Sequence, residues 1–575
     1  MSLPPLANLF AAYDPDPQSL GALEADLRAG GEFCHVSCPS RGWVVAKNPL
    51  PGGEGGHGPL RGSAVEFVEG QDGVCDRVRE LCRVSDQAPE RLAQFPGDFG
   101  FIRFRSDGSA TVVRSCGGLV PLYLTRRRDR VAVATRLGDL VRYLPDEPRL
   151  DPLVNAVWTS GWGLFPHGRT FLDNVTILDR GAFAQLAPGR TVATARYWDP
   201  RPTHLEQPSA ARTAEHAERL RALLLAKLER DLDPEGGNVL TLSGGVDSSS
   251  LAALAAGVLR RPLATWSLLP EPEELFRREM SYIEPLAQRL GIERTAIVRL
   301  RKETRLELLR AAPPVVFHVI HPALCALPSL VVEGDVRVLL GGEFADEVCG
   351  SVFTLGDWAR NTTLRQLVAG ARRGSLGQRD VLRWTKRRLL ALVRRPIVPF
   401  PADLPTFIRS DVREEYRAWV AARRRAAAGE PLARRDLVLH AEADGFVAMN
   451  WEAASALGVR RSFPFFNREV LELAFECHPS ELVGGGTKKL LRAALQNDVP
   501  RENLFRSDKG GWGGYLRSAH FEWTTPLPAS LEAIVRPDWY PTPPPTLDYG
   551  DTAALAQLTV FVDTLGARRQ QRALP

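Results

Sequence analysis

The 575-residue sequence lacks several features that would place it in a membrane or secreted class. It has no run of about 18 apolar residues, so the sequence gives no ground for a membrane span. Its start, MSLPPLANLFAAYDPDPQ, has no basic segment followed by an apolar core, so we expect no secretory signal. The eight cysteines are scattered with no C-x-x-C pair, which is typical of reduced thiols. These absences predict a cytoplasmic protein.

Lysine is scarce, and the excess of positive charge is small. The 73 Lys and Arg residues face 68 Asp and Glu residues, which gives a net charge of +5 and a pI near 8.8. A charge this weak does not argue for a nucleic-acid partner. The Arg-rich stretch 372–395 has two interpretations, a contact for an acidic peptide or partner and a solvated cationic face.

The N-terminal part has the pattern of a β-rich domain. Short apolar runs near residues 43, 64, 101, 111 and 131 are separated by Gly, Pro and Asp-Gly turn signals. Asp107-Gly108 predicts a hairpin between two of these runs. We therefore expect two packed sheets with few helices. The composition turns to Pro, Gln and Ser after Asp199, which places a boundary between domains 1–205 and 210–575.

From residue 211 the pattern alternates between strands and helices. An amphipathic helix is predicted from Thr213, and helices follow the strands predicted at 238–242 and 263–269. A further strand is predicted at 335–340, and residues 355–445 are helical in pattern. Repeated strand, loop and helix units indicate a parallel sheet with covering helices.

A glycine- and serine-rich loop follows the first of these strands. It reads LSGGVDSS over residues 242–249 and opens an alanine-rich helix. Gly244 and Gly245 lack Cβ atoms, so the backbone can approach a phosphate closely. Free N–H groups at the start of the helix would point at the anion, aided by the helix dipole. Hydroxyl donors would be added by Ser243, Ser248 and Ser249.

The aspartate in the centre of this loop indicates that a metal ion is bound there. Asp247 adds negative charge and is therefore unsuited to bind a phosphate directly, but it is suited to hold a Mg²⁺ that bridges it to phosphates. No G-x-x-x-x-G-K-[ST] motif is present, so the loop is not a Walker P-loop. The alternative, a plain strand-to-helix turn, does not need an aspartate there.

The loop resembles the pyrophosphate loop of the ATP pyrophosphatases, and specifically of their asparagine synthetase branch. Other segments resemble that branch in the same order, so that the similarity spans about residues 95–515. One departure is Asn467, where the branch usually has aspartate. These segments are 97–104 (GDFGFIRF), 121–124 (PLYL), 197–199 (YWD), 342–347 (GEFADE), 463–467 (FPFFN), 488–492 (KKLLR) and 506–510 (RSDKG).

The resemblance implies a fold class and a nucleotide. The fold is α/β plus β-rich, with a degenerate, inactive glutaminase-like sandwich of the Ntn-hydrolase type in 1–205. An adenine-nucleotide α-hydrolase-like parallel sheet with helices follows in 210–575. ATP is the implied nucleotide, with Leu242 and Ser267 lining the adenine and ribose pocket through backbone groups. The full set implied to bind ATP is Leu242, Ser243, Gly244, Gly245, Asp247, Ser248, Ser249, Ser267 and Gly342.

The family chemistry activates a carboxylate by attaching AMP, and an amine then displaces the AMP to give an amide. Asp247 and Asp346 match the positions that bind Mg²⁺, although a helix N-cap is the alternative for Asp346. Lys509 matches a lysine that stabilises charge on the reacting phosphate, the alternative being a solvated lysine. Glu343 could orient the attacking amine and accept its proton. Its alternative role is only to orient the loop, and a β-lactam synthetase would have tyrosine there.

The features of a glutaminase are missing. Glutamine-dependent relatives begin with a catalytic cysteine after Met1, whereas this chain has Ser2. The family's R-G-P-D and N-G-E segments also have no convincing counterpart. We therefore expect the N-terminal domain to be inactive and Ser2 to be non-catalytic.

Three functions compete on this basis. The first is an ATP-dependent macrolactam cyclase acting on a ribosomal precursor peptide, as in lasso-peptide cyclases, with a leader-binding protein and a leader peptidase as partners. The second is an asparagine synthetase acting on a small carboxylate with ammonia or glutamine nitrogen. The third is an inactive scaffold subunit, which the set of Asp247, Glu343, Asp346 and Lys509 disfavours.

Overall fold

The computed structural model describes most of the chain, as segments separated by gaps. Ser2, Lys509 and most of the stretch 372–395 lie outside the described residues. The described residues are 9–29, 35–38, 42–47, 64–68, 84, 88–95, 97–105, 107–127, 129–143, 149–159, 166, 168–187, 192–201, 208–293, 295–300, 336–350, 354–372, 381–386, 403–429, 435, 439, 441–483, 486–506 and 531–535.

The N-terminal region contains two sheets, as its short apolar runs predict. The first sheet has the order β2-β3-β1-β8-β7-β9, and the second has the order β11-β10-β6-β5-β4. Pairing is antiparallel except between β4 and β5. The strands are β1 (Leu9–Tyr13), β2 (His35–Ser37), β3 (Trp43–Lys47), β4 (Ala64–Val68), β5 (Phe99–Phe104), β6 (Ala110–Arg114), β7 (Tyr123–Arg127), β8 (Arg130–Ala134), β9 (Val175–Ile177), β10 (Ala182–Leu186) and β11 (Ala193–Arg196).

The two sheets pack face to face through one apolar core. Trp43, Val45 and Val133 of the first sheet are buried together with Ile102 and Val112 of the second. The hairpin at Asp107-Gly108 is confirmed, since β5 and β6 pair with Phe104 opposite Ala110 and Gly108 has φ +81°. The helices of this region are α1 (Pro17–Ala29), a 3₁₀ turn (Pro89–Gln94), α2 (Leu137–Tyr143) and α3 (Pro152–Thr159).

The C-terminal region is built on a parallel sheet, as predicted. Its order is β14-β13-β12-β15-β16, and each adjacent pair is parallel. The strands are β12 (Asn238–Thr241), β13 (Ala264–Pro270), β14 (Thr295–Leu300), β15 (Val338–Leu340) and β16 (Arg460–Ser462).

Helices surround this sheet, and the amphipathic helix predicted from Thr213 is the first of them. Among the described residues, no helix combines the length and apolar character needed to cross a membrane. The helices are α4 (Ala210–Asp231), α5 (Val246–Ala252) with a π-helical continuation (Ala253–Val258), α6 (Glu273–Arg289), α7 (Ala345–Cys349), α8 (Thr354–Asn361), α9 (Leu364–Arg372), α10 (Ser410–Gly429), α11 (Ala441–Ala456), α12 (Arg468–Glu476), α13 (Pro479–Leu482), α14 (Lys489–Leu495) and α15 (Arg501–Leu504).

Buried charges join the sandwich to the helices of the C-terminal region. Asp444 on α11 lies 2.9 Å from Arg114 Nη2 and 3.4 Å from Arg180 Nε, and all three side chains are buried. Arg114 also donates to the carbonyl oxygens of Gly118, Val120 and Leu178. Two buried guanidinium groups therefore share one counter-charge from the other region. The division at 205–210 stays a prediction.

We expect Asp444→Asn to destabilise the protein strongly. The change keeps the shape of the side chain but removes the buried charge that pairs with Arg114 and Arg180, and breaking a buried pair costs about 3–5 kcal/mol. Urea unfolding followed by circular dichroism measures the difference. The control is Glu24→Gln, which breaks the exposed Arg28–Glu24 pair and costs at most about 0.5 kcal/mol. Equal effects of the two changes would contradict this account.

Candidate active site

The candidate site lies where the carboxyl ends of β12 and β15 meet. From β12 the chain builds β13 and β14 on one side, and it then crosses to add β15 and β16 on the other. The loops after the two central strands are therefore neighbours. In open parallel sheets, ligands bind in the crevice at such a topological switch point.

The loop after β12 is held by contacts to its carbonyl groups. Gly244 has φ +65°, and a Cβ there would lie 2.6 Å from Tyr282 Cβ, so glycine is required. Asn503 Nδ2 donates to Gly244 O at 3.2 Å, and Arg506 Nη1 donates to Ser243 O at 3.0 Å. These two hydrogen bonds fix the backbone of the loop that leads into α5, and the first N–H groups of a helix are suited to bind an anion.

Serine side chains complete this loop. Ser248 Oγ accepts from Ser243 N at 3.1 Å, and its hydroxyl lies 3.2 Å from that of Ser243. Ser249 Oγ is buried and has no hydrogen-bond partner in the described part of the chain. Ser267 Oγ donates to Leu242 O at 2.6 Å. The structure thus brings Ser267 on β13 to the end of β12, while a role of Leu242 and Ser267 in ATP binding stays a prediction.

The loop after β15 contacts the first loop directly. A Cβ on Gly342 would lie 3.0 Å from Asp247 Cβ and 3.1 Å from Ser248 N, so a larger residue would push the loops apart. Asp346 lies in the first turn of α7, and the N-cap of that helix is Phe344. The N-cap alternative for Asp346 is therefore wrong. Its side chain is 54% exposed, which leaves it accessible to a ligand.

A strained residue fixes the turn into α7. Phe344 has φ +67°, an uncommon left-handed conformation for a residue with a side chain. Its ring stacks on Phe466 with centroids 4.0 Å apart and meets the rings of Phe463 and Phe446 edge-on at 5.2 and 5.4 Å. Such packing can hold a conformation that local preference disfavours. It fixes the backbone between Glu343 and Asp346.

Lys488, the first residue of the family-like segment 488–492, lies at the centre of the site. Lys488 Nζ is 2.5 Å from Asp247 Oδ2 and 2.9 Å from Asp346 Oδ1. Lys488 has φ +57°, and its N–H donates to Gly350 O at 3.1 Å. Burial lowers the pKa of Lys488, but the charges of Asp247 and Asp346 outweigh burial and raise it above the ordinary value. The ammonium group therefore stays protonated between two carboxylates.

Glu347, which follows Asp346 in the sequence, has a carboxyl group with a raised pKa. Burial is the main cause that raises the pKa of Glu347 to about 7, and the charge of Asp346 raises it further. Lys488 acts in the opposite direction. The sequence analysis did not single out Glu347, because only the fold shows its burial.

The described residues fit a Mg²⁺ ion. Asp247 and Asp346 come from different loops, yet both reach the same ammonium group, so their oxygens can serve one centre. Carboxylate oxygens are the hard donors that Mg²⁺ prefers, and the exposure of Asp346 leaves room for the waters and phosphates that complete its shell.

Glu343 lies on the same loop as Asp346, after β15, and forms an ion pair with Arg461. Its Oε1 accepts from Arg461 Nη2 at 2.6 Å, and its side chain is 17% exposed. The sequence analysis gave Arg461 no role. Lys509, the other predicted catalytic residue, lies outside the described residues, so its role stays a prediction.

The protein has an α/β fold, and the glycine- and serine-rich loop after β12 lies at the switch point of its parallel sheet. A sequence profile described as Asparagine synthase matches residues 219–559, which is more than half of the chain, and the chain belongs to that family. Members of that family are ATP-dependent ligases that form AMP and pyrophosphate. No curated protein matches the chain significantly.

Two solved structures show partial similarity. NMN synthetase from Francisella tularensis is 20% identical with a TM-score of 0.18, and the match covers 24% of this chain and 57% of that chain. Glutamine phosphoribosylpyrophosphate amidotransferase from B. subtilis, complexed with ADP and GMP, is 11% identical with a TM-score of 0.20. That match covers 52% of this chain and 92% of the other. This chain therefore spans little more than half the length of the synthetase.

We expect Asp247→Asn and Asp346→Asn each to slow Mg²⁺-dependent pyrophosphate release by about 10²–10³-fold. A metal at a phosphoryl centre contributes several kcal/mol of charge stabilisation, and about 1.4 kcal/mol corresponds to tenfold in rate. The assay couples pyrophosphate release to a colorimetric readout, with folding checked by circular dichroism. The matched control is Asp129→Asn, an exposed residue of the sandwich. Near-normal rates in both site variants would remove the metal-ligand assignment.

Proposed function

We propose that this protein is an ATP-dependent carbon–nitrogen ligase that forms an amide through an acyl-adenylate. A carboxylate oxygen of the substrate attacks the α-phosphorus of ATP, and pyrophosphate leaves. An amine nitrogen then attacks the acyl carbon, AMP leaves, and the amine loses a proton to a base. The observation that carries the proposal is the convergence of Asp247, Asp346 and Lys488 beside the loop after β12.

The residues have distinct roles in this scheme. The N–H groups of the loop after β12 bind the phosphates, and the Lys488 ammonium neutralises their charge. Asp247 and Asp346 would hold Mg²⁺, which supplies charge neutralisation for the departing pyrophosphate. Lys509 would stabilise charge on the reacting phosphate. Glu343 accepts the proton of the amine.

The substrate that we favour is a ribosomal precursor peptide whose N-terminal amine is joined to an Asp or Glu side chain. Support comes from the sequence: Ser2 replaces the glutaminase cysteine, and the glutamine-binding segments lack counterparts. Without its own ammonia source, such a ligase takes its amine from elsewhere, and the N-terminal amine of a peptide is one such source. A leader-binding protein and a leader peptidase would then be partners, and the cytoplasm would be the site of synthesis.

The second candidate is an asparagine synthetase that uses aspartate and free ammonia. It needs the same adenylation chemistry, and the family membership favours it equally. The third candidate is an inactive scaffold, against which the paired carboxylates around a buried lysine argue.

A substrate panel separates the three candidates. The probes are aspartate with ammonium chloride, and linear peptides with a free N-terminal amine and an internal Asp or Glu side chain, each with ATP and Mg²⁺. We expect peptide-dependent pyrophosphate release and loss of one water from the peptide by mass spectrometry. Asparagine formation would instead establish the second candidate. No AMP or pyrophosphate from any probe would overturn the ligase proposal.

We expect Glu343→Gln to separate the two half-reactions. Adenylation needs charge stabilisation but no base, whereas amide formation needs a deprotonated amine. Glutamine keeps the size and a hydrogen-bond acceptor for Arg461 but cannot take the proton, so amide formation slows by about 10²–10⁴-fold. Single-turnover quenching follows acyl-adenylate and amide separately, with the exposed Glu235→Gln as control. Loss of pyrophosphate release together with absence of adenylate would show that Glu343 serves binding and that the base lies elsewhere.

We also expect no glutaminase activity. Ser2 is a poorer nucleophile than cysteine, and the segments that bind glutamine are missing. The purified chain incubated with glutamine should release glutamate no faster than buffer does. A measurable rate that Ser2→Ala abolishes would contradict the inactive N-terminal domain.

A further inference from the structure

The two oxygens of the Glu343 carboxylate have different environments. Oε1 accepts a hydrogen bond from Arg461 Nη2 at 2.6 Å. Oε2 is buried and has no hydrogen-bond partner among the residues that the structure describes. A buried carboxylate oxygen without a donor is costly and needs an explanation. Among the described residues, Arg461 is therefore the side chain that holds this carboxylate in place.

The position of Oε2 depends on the absence of a side chain at the neighbouring glycine. A Cβ on Gly341 would lie 1.6 Å from Glu343 Oε2 and 2.9 Å from Arg461 Nη2. No residue other than glycine can therefore occupy this position while the carboxylate and the guanidinium group keep their places. The backbone of the loop at Gly341 therefore lies directly against the Glu343 carboxylate.

Arg461 is itself fixed on several sides. Its side chain is 1% exposed, and its Nε donates to Asn450 Oδ1 at 3.0 Å. Its Nη1 lies 3.4 Å from Leu339 O on the adjacent strand, and its guanidinium carbon lies 4.8 Å from the centre of the Phe463 ring. Asn450 is buried on α11 and donates to Phe446 O at 2.9 Å. The guanidinium group therefore has one available orientation.

We propose that Arg461, held by Asn450, is a positioning residue that fixes the Glu343 carboxylate in the orientation in which it meets the incoming amine. The inference rests on the proposed function, since it assigns a means of orientation to the base of that reaction. A free carboxylate rotates and offers two equivalent oxygens. The rigid fork of Arg461 engages Oε1 and Asn450 together, which stops the rotation of the Glu343 carboxylate. A displacement of about 1 Å in a reacting group can cost 10²-fold in rate.

The first experiment compares Arg461→Met with the neighbouring Arg460→Met. Arg460 lies on the same strand, and its guanidinium group donates to the backbone carbonyl of Asp231, away from Glu343. The probe is whichever member of the substrate panel supports pyrophosphate release. We expect Arg461→Met to slow amide formation by about 10²-fold and to leave adenylation near the wild-type rate. We expect Arg460→Met to change neither step.

A double-mutant cycle distinguishes positioning from a general structural effect. If Arg461 acts through Glu343, then Arg461→Met should slow amide formation in the wild-type background and have little further effect in the Glu343→Gln background. Equal slowing in both backgrounds would overturn the inference. Equal loss of adenylation and amide formation in Arg461→Met would also overturn it.

A second variant keeps the test valid if Arg461→Met does not fold. Asn450→Leu removes the acceptor that orients Arg461, keeps a similar volume and leaves both charges in place. It should slow amide formation selectively, and an unchanged ratio of amide formation to adenylation would overturn the inference. Failure of the proposed function is a different result, because the wild-type chain would then release no pyrophosphate with any probe, and the inference would fall with it.

Discussion

The meeting of two loops at the Lys488 ammonium is the constraint on which the site depends. Asp247 and Asp346 are 99 positions apart in sequence, yet both lie within 2.9 Å of one nitrogen. Without that cation, two carboxylates facing one another would repel. The adjacency of β12 and β15, the glycine at 342 and the strained Phe344 all serve to bring these groups together.

The second constraint is the buried charge cluster that joins the N-terminal sandwich to α11. Arg114 and Arg180 of the sandwich bury their charges against Asp444 of the other region. Arg180 also lies over the Phe466 ring, 4.5 Å from its centre, and that ring stacks on Phe344 in the active-site turn. The sandwich is therefore part of the packing that supports the site.

Much of this arrangement could be predicted from the sequence. Strand and helix periodicity predicted the sandwich, the hairpin at Asp107-Gly108 and the parallel sheet, because these depend on local pattern. Asp247 followed from the glycine- and serine-rich loop after a predicted strand, whereas Asp346 and Glu343 followed from the resemblance of segment 342–347 to a family segment. The roles of Lys488 and Arg461 could not be predicted, because each depends on contacts between segments more than 100 residues apart in sequence. The raised pKa of Glu347 depends on burial, which no local pattern reports.

The central claim, that a carboxylate is activated as its adenylate, can be tested by following oxygen atoms. The substrate that supports pyrophosphate release is prepared with ¹⁸O in its carboxylate and turned over with ATP and Mg²⁺. Attack of that carboxylate on the α-phosphorus leaves one labelled oxygen on AMP when the amine displaces it. The account predicts ¹⁸O in AMP and none in pyrophosphate. Label in inorganic phosphate with formation of ADP, or amide formation without transfer of label to AMP, would contradict it.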